Sequence, residues 1–138
     1  MRESNLVVEV NYPALQVFQV MTNNEAYHWR SDLDRIEIID DIHFVEYTKQ
    51  GYETKFTITK KEENQVYEFD MENKQFRGHW IGKLEALSPD RTKVSLQEKL
   101  YIKNPLMEIL SYLAMPLKKI QKQYVADLLK RLEERKEQ

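Results

Sequence analysis

The sequence predicts an α+β fold in which a seven-stranded antiparallel sheet wraps a long C-terminal helix, leaving a cavity between the two. Three observations lead there. Six segments from Arg35 onward alternate apolar and polar residues at a period of two, and their connectors are too short for anything but antiparallel pairing. A further strand-like segment opens the chain. The last quarter, from Asn104 to about Arg135, places Leu106, Ile109, Leu110, Leu113, Leu117, Ile120, Tyr124, Leu128 and Leu132 at steps of three and four, which keeps one helix face apolar for many turns. A single long helix after a run of strands needs a sheet to lie on.

The 138 residues form one expected domain, 1–138, long enough to bury roughly two thirds of its unfolded surface. With 41% hydrophobic and 32% charged residues, the composition is that of an ordinary globular chain. A formal net charge of −2 argues against nucleic acid, whose binders carry a basic excess. The absence of cysteine excludes disulfides and thiolate chemistry. No signal peptide precedes the first strand, and no apolar run approaches the ~18 residues that span a bilayer, so a cytoplasmic protein without integral membrane association is expected.

In chain order, Asn5–Val10 reads as the first strand. Pro13 then opens a short helix to about Met21, with Leu15, Val17, Phe18 and Met21 available to bury, and Asn23-Asn24 ends it. A second short helix is expected over Glu25 to about Trp29. The six further strands are expected at Arg35–Asp40, His43–Lys49, Tyr52–Lys61, Gln65–Met71, Gln75–Leu87 and Lys93–Ile102. Alternation places Thr54, Phe56 and Ile58 on one face, with Tyr67, Phe69 and Met71, then Phe76, Gly78, Trp80, Gly82 and Leu84, and finally Thr92, Val94, Leu96, Leu100 and Ile102. The opposite positions are largely charged, so one face of the sheet is covered. Over 43–49 two registers compete, one turning Ile42 and Phe44 inward and the other Val45 and Tyr47.

In the C-terminal helix, Asn104 is a natural cap, and Pro105 fits the first helical position, where a missing N–H costs nothing. Pro116 removes a backbone hydrogen bond inside the pattern and should kink or split the helix. The segment after it is the expected clamp, and the segment before it a possible entrance. Lys130 to Gln138 is charge-dense and is expected to fray. The helix lysines read as a solvated face, because the apolar stripe is needed for the sheet.

This order of elements, with the segments Val10-Asn11-Tyr12-Pro13-Ala14-Leu15-Gln16-Val17-Phe18, Tyr27-His28-Trp29-Arg30, Phe76-Arg77-Gly78-His79-Trp80 and Arg91-Thr92-Lys93-Val94, resembles the helix-grip fold of the START-like (SRPBCC) superfamily, which includes the polyketide cyclase/dehydrase and lipid-transport group. The resemblance covers essentially the whole chain. It implies a hydrophobic pocket between sheet and helix that takes a lipid, polyketide or similar small molecule. It carries over no catalytic residue, because the superfamily has no shared catalytic motif, and it implies no cofactor.

Glu98 breaks its own pattern, standing between Leu96 and Leu100 on the inward face. A buried carboxylate is costly unless paired, hydrogen-bonded or neutral, so Glu98 reads either as a pocket acid or ligand acceptor, or as a structural group paired with Arg30 or a tyrosine. Trp29, Phe56, Tyr67, Phe69, Trp80 and Tyr124, with Leu110, Leu113 and Leu117 from the helix, are the expected ligand-lining set, against the plainer reading of core packing. Gly78 and Gly82 mark either sheet curvature, room for a ligand or a bulge. His28, His43 and His79 have no metal-ligand spacing, and no serine sits in a nucleophile motif. Asp32 and Asp34 with Arg30 and Arg35 read as a solvated charge cluster. Three functions follow: binding of a small hydrophobic or aromatic molecule, a cyclase- or hydrolase-type enzyme using Glu98 or a tyrosine as its acid–base group, or an interaction protein whose core is self-filled.

Overall fold

A computed structural model describes residues 1–136. Seven strands, β1 (Arg2–Val10), β2 (Leu33–Ile38), β3 (His43–Thr48), β4 (Glu53–Glu62), β5 (Val66–Glu72), β6 (Phe76–Ser88) and β7 (Arg91–Ile102), form one antiparallel sheet in the order β1-β7-β6-β5-β4-β3-β2. Strands β2 to β7 follow one another as a meander, and β1 closes against β7 at the far edge. The helices are α1 (Ala14–Thr22), α2 (Pro105–Ala114) and α3 (Leu117–Lys136). The curved sheet with a long C-terminal helix against it is the helix-grip architecture.

The core lies between the concave face of the sheet, α1 and α3. From α3 it takes Leu117, Val125, Leu128 and Leu132, the last two at most 1% exposed, together with the buried amide of Gln121. From the sheet it takes the inward positions that alternation assigns, among them Val94, Leu96 and Leu100. The two registers that compete over β3 are decided by Phe44, which pairs with Phe56 and stacks on it at 4.8 Å between ring centroids, so Phe44 and Glu46 turn inward.

Polar contacts fasten the grip. Asp127 of α3 accepts hydrogen bonds from the Ser31 amide (2.9 Å) and hydroxyl (2.7 Å), which ties the 23–32 connection to the helix. Gln121 donates to the Ser4 carbonyl (2.9 Å) and accepts from the Ser4 hydroxyl (2.7 Å), which ties α3 to β1. Tyr12 donates to Glu133 at 2.6 Å.

Three expectations need correction. Residues 25–29 form no helix. Ala26 N–H bonds to the Asn23 carbonyl and Arg30 N–H to the Tyr27 carbonyl, making two separate turns, while the Asn23 side chain takes the Glu25 amide. A single turn fixes several dihedrals for one bond, and a competing asparagine side chain is enough to prevent its growth. The 104–135 helix splits at Pro116, as the sequence leads one to expect. Met115, held at φ −139° and ψ 74°, leaves the helical region, as a residue before proline is pushed to do. The apolar stripe of α2 is not buried: Leu106, Ile109 and Leu113 are 76%, 72% and 87% exposed. A stripe continuous in sequence is not continuous in space once the break uncouples the two helix directions. Finally, the stretch from Lys130 to Lys136 stays helical, anchored by Leu132 and by Arg135, which donates to Gln19 at 3.1 Å; the rest of the expected fraying end, 137–138, lies outside the described residues.

Candidate functional site

The inward face of β4, β5 and β6 carries a continuous aromatic wall. Alternation puts Phe56, Phe69, Tyr67 and Trp80 on the same side, and antiparallel pairing sets Phe69 directly opposite Trp80. The two rings stack at 4.8 Å with planes 5° apart. Phe56 meets Phe69 edge-on at 5.1 Å, and Tyr67 meets Trp80 edge-on at 6.2 Å. From the other side α3 brings Tyr124 to 5.6 Å from Trp80, and the 23–32 connection brings Trp29 to 5.3 Å from Tyr124. Six of the expected ligand-lining residues therefore converge, and Leu117 lies buried in the same core. Leu110 and Leu113 do not join them. They stand on the uncovered face of α2, 56% and 87% exposed, for the reason given above. Phe44 belongs to the wall and is missed by the sequence reading because its register is ambiguous.

A charged group sits beside this wall. Glu98 pairs with Trp80 across β6 and β7 and with Ser4 across β7 and β1. Burial pushes its carboxyl up to about 7; Arg30 and Arg2 pull it down, and Glu46 adds to the rise. Arg30 forks two carboxylates, meeting Asp32 at 3.0 and 3.1 Å and Glu46 at 3.4 and 3.5 Å. Its guanidinium lies 5.2 Å from the Tyr124 ring centroid. Burial works against the Arg30 charge, but Glu46 and Asp32 outweigh it and hold the group protonated. Burial likewise raises Glu46, with Arg30 opposing. The expected solvated cluster around Arg30 is thus corrected: Arg30 turns inward, its side chain 18% exposed, because Glu46 on β3 faces it. Glu46 has the same signature as Glu98, a carboxylate on an apolar face, and becomes visible once Phe44 is placed inward.

Arg2 is buried beneath α2, donating to the Ser111 carbonyl (3.0 Å) and hydroxyl (3.3 Å), with its guanidinium 4.2 Å from the Tyr112 ring centroid. It anchors α2 by hydrogen bonds and a ring face where an apolar seam was expected.

Among the described residues the Glu98 carboxyl and the Tyr124 hydroxyl, like the indole N–H groups of Trp29 and Trp80, make no hydrogen bond to protein. None of these is sealed from its surroundings, since the fully enclosed unpartnered side-chain atoms are Arg2 Nε and Asn64 Oδ1. Burial raises the Tyr124 hydroxyl well above the usual phenol range, so it stays a neutral donor. Tyr67 is pushed up to about 12 by burial, and its hydroxyl accepts from Asn24 at 3.4 Å. The arrangement is therefore an aromatic surface edged by a neutral phenol, a carboxyl poised near neutrality and a fixed guanidinium.

The two inward glycines leave no room for a ligand. A Cβ on Gly82 would stand 2.8 Å from Trp80 Cη2, and one on Gly78 2.6 Å from Leu100 Cδ2, so the protein's own side chains occupy both positions. The cavity expected between sheet and helix is filled at the wall, where Phe56, Tyr67 and Trp80 are 6%, 3% and 7% exposed, and two grooves open elsewhere. One of about 240 Å³ runs between His28, Trp29 and the α3 residues Lys130, Arg131 and Glu134. The other, of about 640 Å³, lies between Gln19, Asn23, Lys61 and Arg135. Trp29 borders both, and neither is lined by Glu98, Trp80 or Tyr124. His43 and His79 are engaged with Asp40 (2.8 Å) and Asp70 (2.6 Å), and His28 stacks on Tyr27.

Solved structures similar to this chain include a START superfamily protein from Mycobacterium smegmatis, with a TM-score of 0.80 and 18% identity over 96% of this chain and 97% of that one. The Zhui aromatase/cyclase from Streptomyces sp. R1128 matches with a TM-score of 0.81 and 13% identity over 97% and 94%. Norcoclaurine synthase from Thalictrum flavum, in complex with dopamine and hydroxybenzaldehyde, matches at 0.73 and 12% over 96% and 87%. At these identities the likeness shows the fold, which is START-like. No curated protein sequence matches. Residues 5–124 match the family described as "Domain of unknown function (DUF3284)", and the chain belongs to that family.

Proposed function

We propose that this protein binds a small hydrophobic or aromatic molecule against the aromatic wall between the sheet and α3. The carrying observation is the placement of the Glu98 carboxyl and the Tyr124 hydroxyl, which make no hydrogen bond to protein among the described residues, beside stacked Phe69 and Trp80. Desolvation of an apolar ligand on that wall supplies affinity, and the two groups fix orientation. A carboxyl at about 7 is half-protonated near neutrality, so Glu98 can donate to a ligand carbonyl or accept from a hydroxyl. The fold likeness to an aromatase/cyclase and to a synthase holding small aromatic compounds supports this ligand class.

The same value favours a second reading. A group titrating near the working pH suits general acid–base catalysis, so the same wall can serve a cyclase- or hydrolase-type reaction with Glu98 as the proton carrier. The deciding experiment is native mass spectrometry of the protein purified from its own cells. The binding reading predicts a small organic adduct that is lost on denaturation. Bare protein mass throughout, with no thermal shift from aromatic or lipid compounds, would instead support a self-filled core. Turnover of the adduct that Glu98→Gln abolishes while retaining the adduct mass would establish the enzyme.

A further inference from the structure

The ten-residue α2 is the part of the molecule whose chemistry the pocket does not use. Its polar side chains, Glu108 and Ser111, turn toward the protein: Ser111 is gripped by Arg2, and Glu108 is 31% exposed. The outward surface carries Leu106, Met107, Ile109, Leu110, Tyr112 and Leu113, each at least 48% exposed, and no charge. A contiguous apolar surface of this kind marks an interaction site. Lysines flank it at both ends. Lys103 stands two residues before α2 and donates to the carbonyl of Asn73, the chain neighbour of Lys74, at 2.8 Å. Lys118, Lys119 and Lys122 lie exposed on the first turns of α3 and form no ion pair among the described residues. Glu72 is paired with Lys103 and Glu108 with the N-terminal ammonium, while Lys74, Lys118, Lys119 and Lys122 form no ion pair among the described residues, in a chain whose net charge is −2.

We propose that α2 is a membrane-docking element, its apolar surface entering the interface of a lipid layer and its flanking lysines meeting anionic headgroups. An uncharged apolar helix face rimmed by lysine, with a tyrosine at the boundary, is the composition that lies in the headgroup–acyl region. The charge pattern distinguishes this occupant from a second copy of the chain, which would add another set of unpaired lysines to the first. Docking does not require a spanning segment, and no helix among the described residues is long and apolar enough to cross a membrane.

The test is flotation of the full chain with phosphatidylcholine vesicles and with phosphatidylcholine–phosphatidylglycerol vesicles at about 3:1, across a salt series. Preferential binding to the anionic vesicles is expected, weakening as salt rises, with about a fivefold loss of affinity for each charge removed in Lys118→Gln and Lys119→Gln. Ile109→Asp with Leu113→Asp should abolish flotation while leaving the melting temperature unchanged, since both side chains are largely exposed. Absence of binding to either vesicle overturns the proposal. So does binding that survives Ile109→Asp/Leu113→Asp, or a stable dimer in light scattering that the same double variant dissociates.

Discussion

Replacing Glu98 by glutamine converts the description of the site into a measurable free energy. The carboxyl is raised from an ordinary 4.5 to about 7 by burial, against the pull of Arg30 and Arg2. The folded state therefore holds the proton more tightly than the unfolded chain. Between those two values the native state binds more protons, so stability falls as pH rises. The contribution is present in full below about pH 4.5, declines through the interval and is gone above about pH 7. At about 1.4 kcal/mol for each tenfold change in proton affinity, it amounts to about 3 kcal/mol at most, because Glu98 keeps some solvent contact. Glutamine preserves shape and has no proton to lose. The assay is urea unfolding of wild type and Glu98→Gln from pH 4 to 8.5, plotted as the stability difference. Wild type should lose up to about 3 kcal/mol relative to the variant across that range, equivalent to roughly 10 °C in melting temperature for a chain of this size. Parallel curves would show that burial and the arginines cancel. A variant that loses stability relative to wild type as pH rises would show that Glu98 is a charged partner of Arg30, and the reading of a protonated pocket acid would be wrong.

Leu128→Ala, at a fully buried position of α3, should cost about 2–5 kcal/mol in urea unfolding, whereas Leu113→Ala on α2 should stay within about 0.5 kcal/mol; equal costs would contradict the division of labour between the helices. Gly82→Ala should displace the Trp80 indole and cost about 1–3 kcal/mol, with loss of the near-ultraviolet signal from the Phe69–Trp80 stack; an unchanged spectrum and stability would mean that the indole does not rest on the glycine.

Much of this was legible in the residues. Period-two alternation and short connectors specify the meander because a one-residue slip would turn Phe56, Phe69, Trp80 and Leu96 out of the core together. Glu98 stands out because it interrupts such a row. Pro116 announces the break because it has no N–H to continue the helix ladder and pushes Met115 out of the helical region. What escaped has physical causes. In β3, Phe44 and Val45 are both apolar and both buried, so the pattern does not choose between them, and Glu46 stayed hidden with the choice. Arg30 looked solvated because its partner Glu46 lies sixteen residues away, on β3. The apolar stripe of α2 looked like core because periodicity reports amphipathicity and not what covers it. Arg2, at a strand end, gives no local sign that it reaches the Ser111 carbonyl more than a hundred residues later.

The central claim is that a small molecule occupies the aromatic wall beside Glu98 and Tyr124. It is tested most directly by following the Trp80 indole N–H and the Glu98 carboxyl carbon by NMR while the compound released from natively purified protein is added back. The account predicts saturable shifts of both signals and a change in the Glu98 titration midpoint from about 7. Shifts confined to Lys130, Arg131 and Glu134 in the outer groove, with Trp80 and Glu98 unmoved, would contradict it.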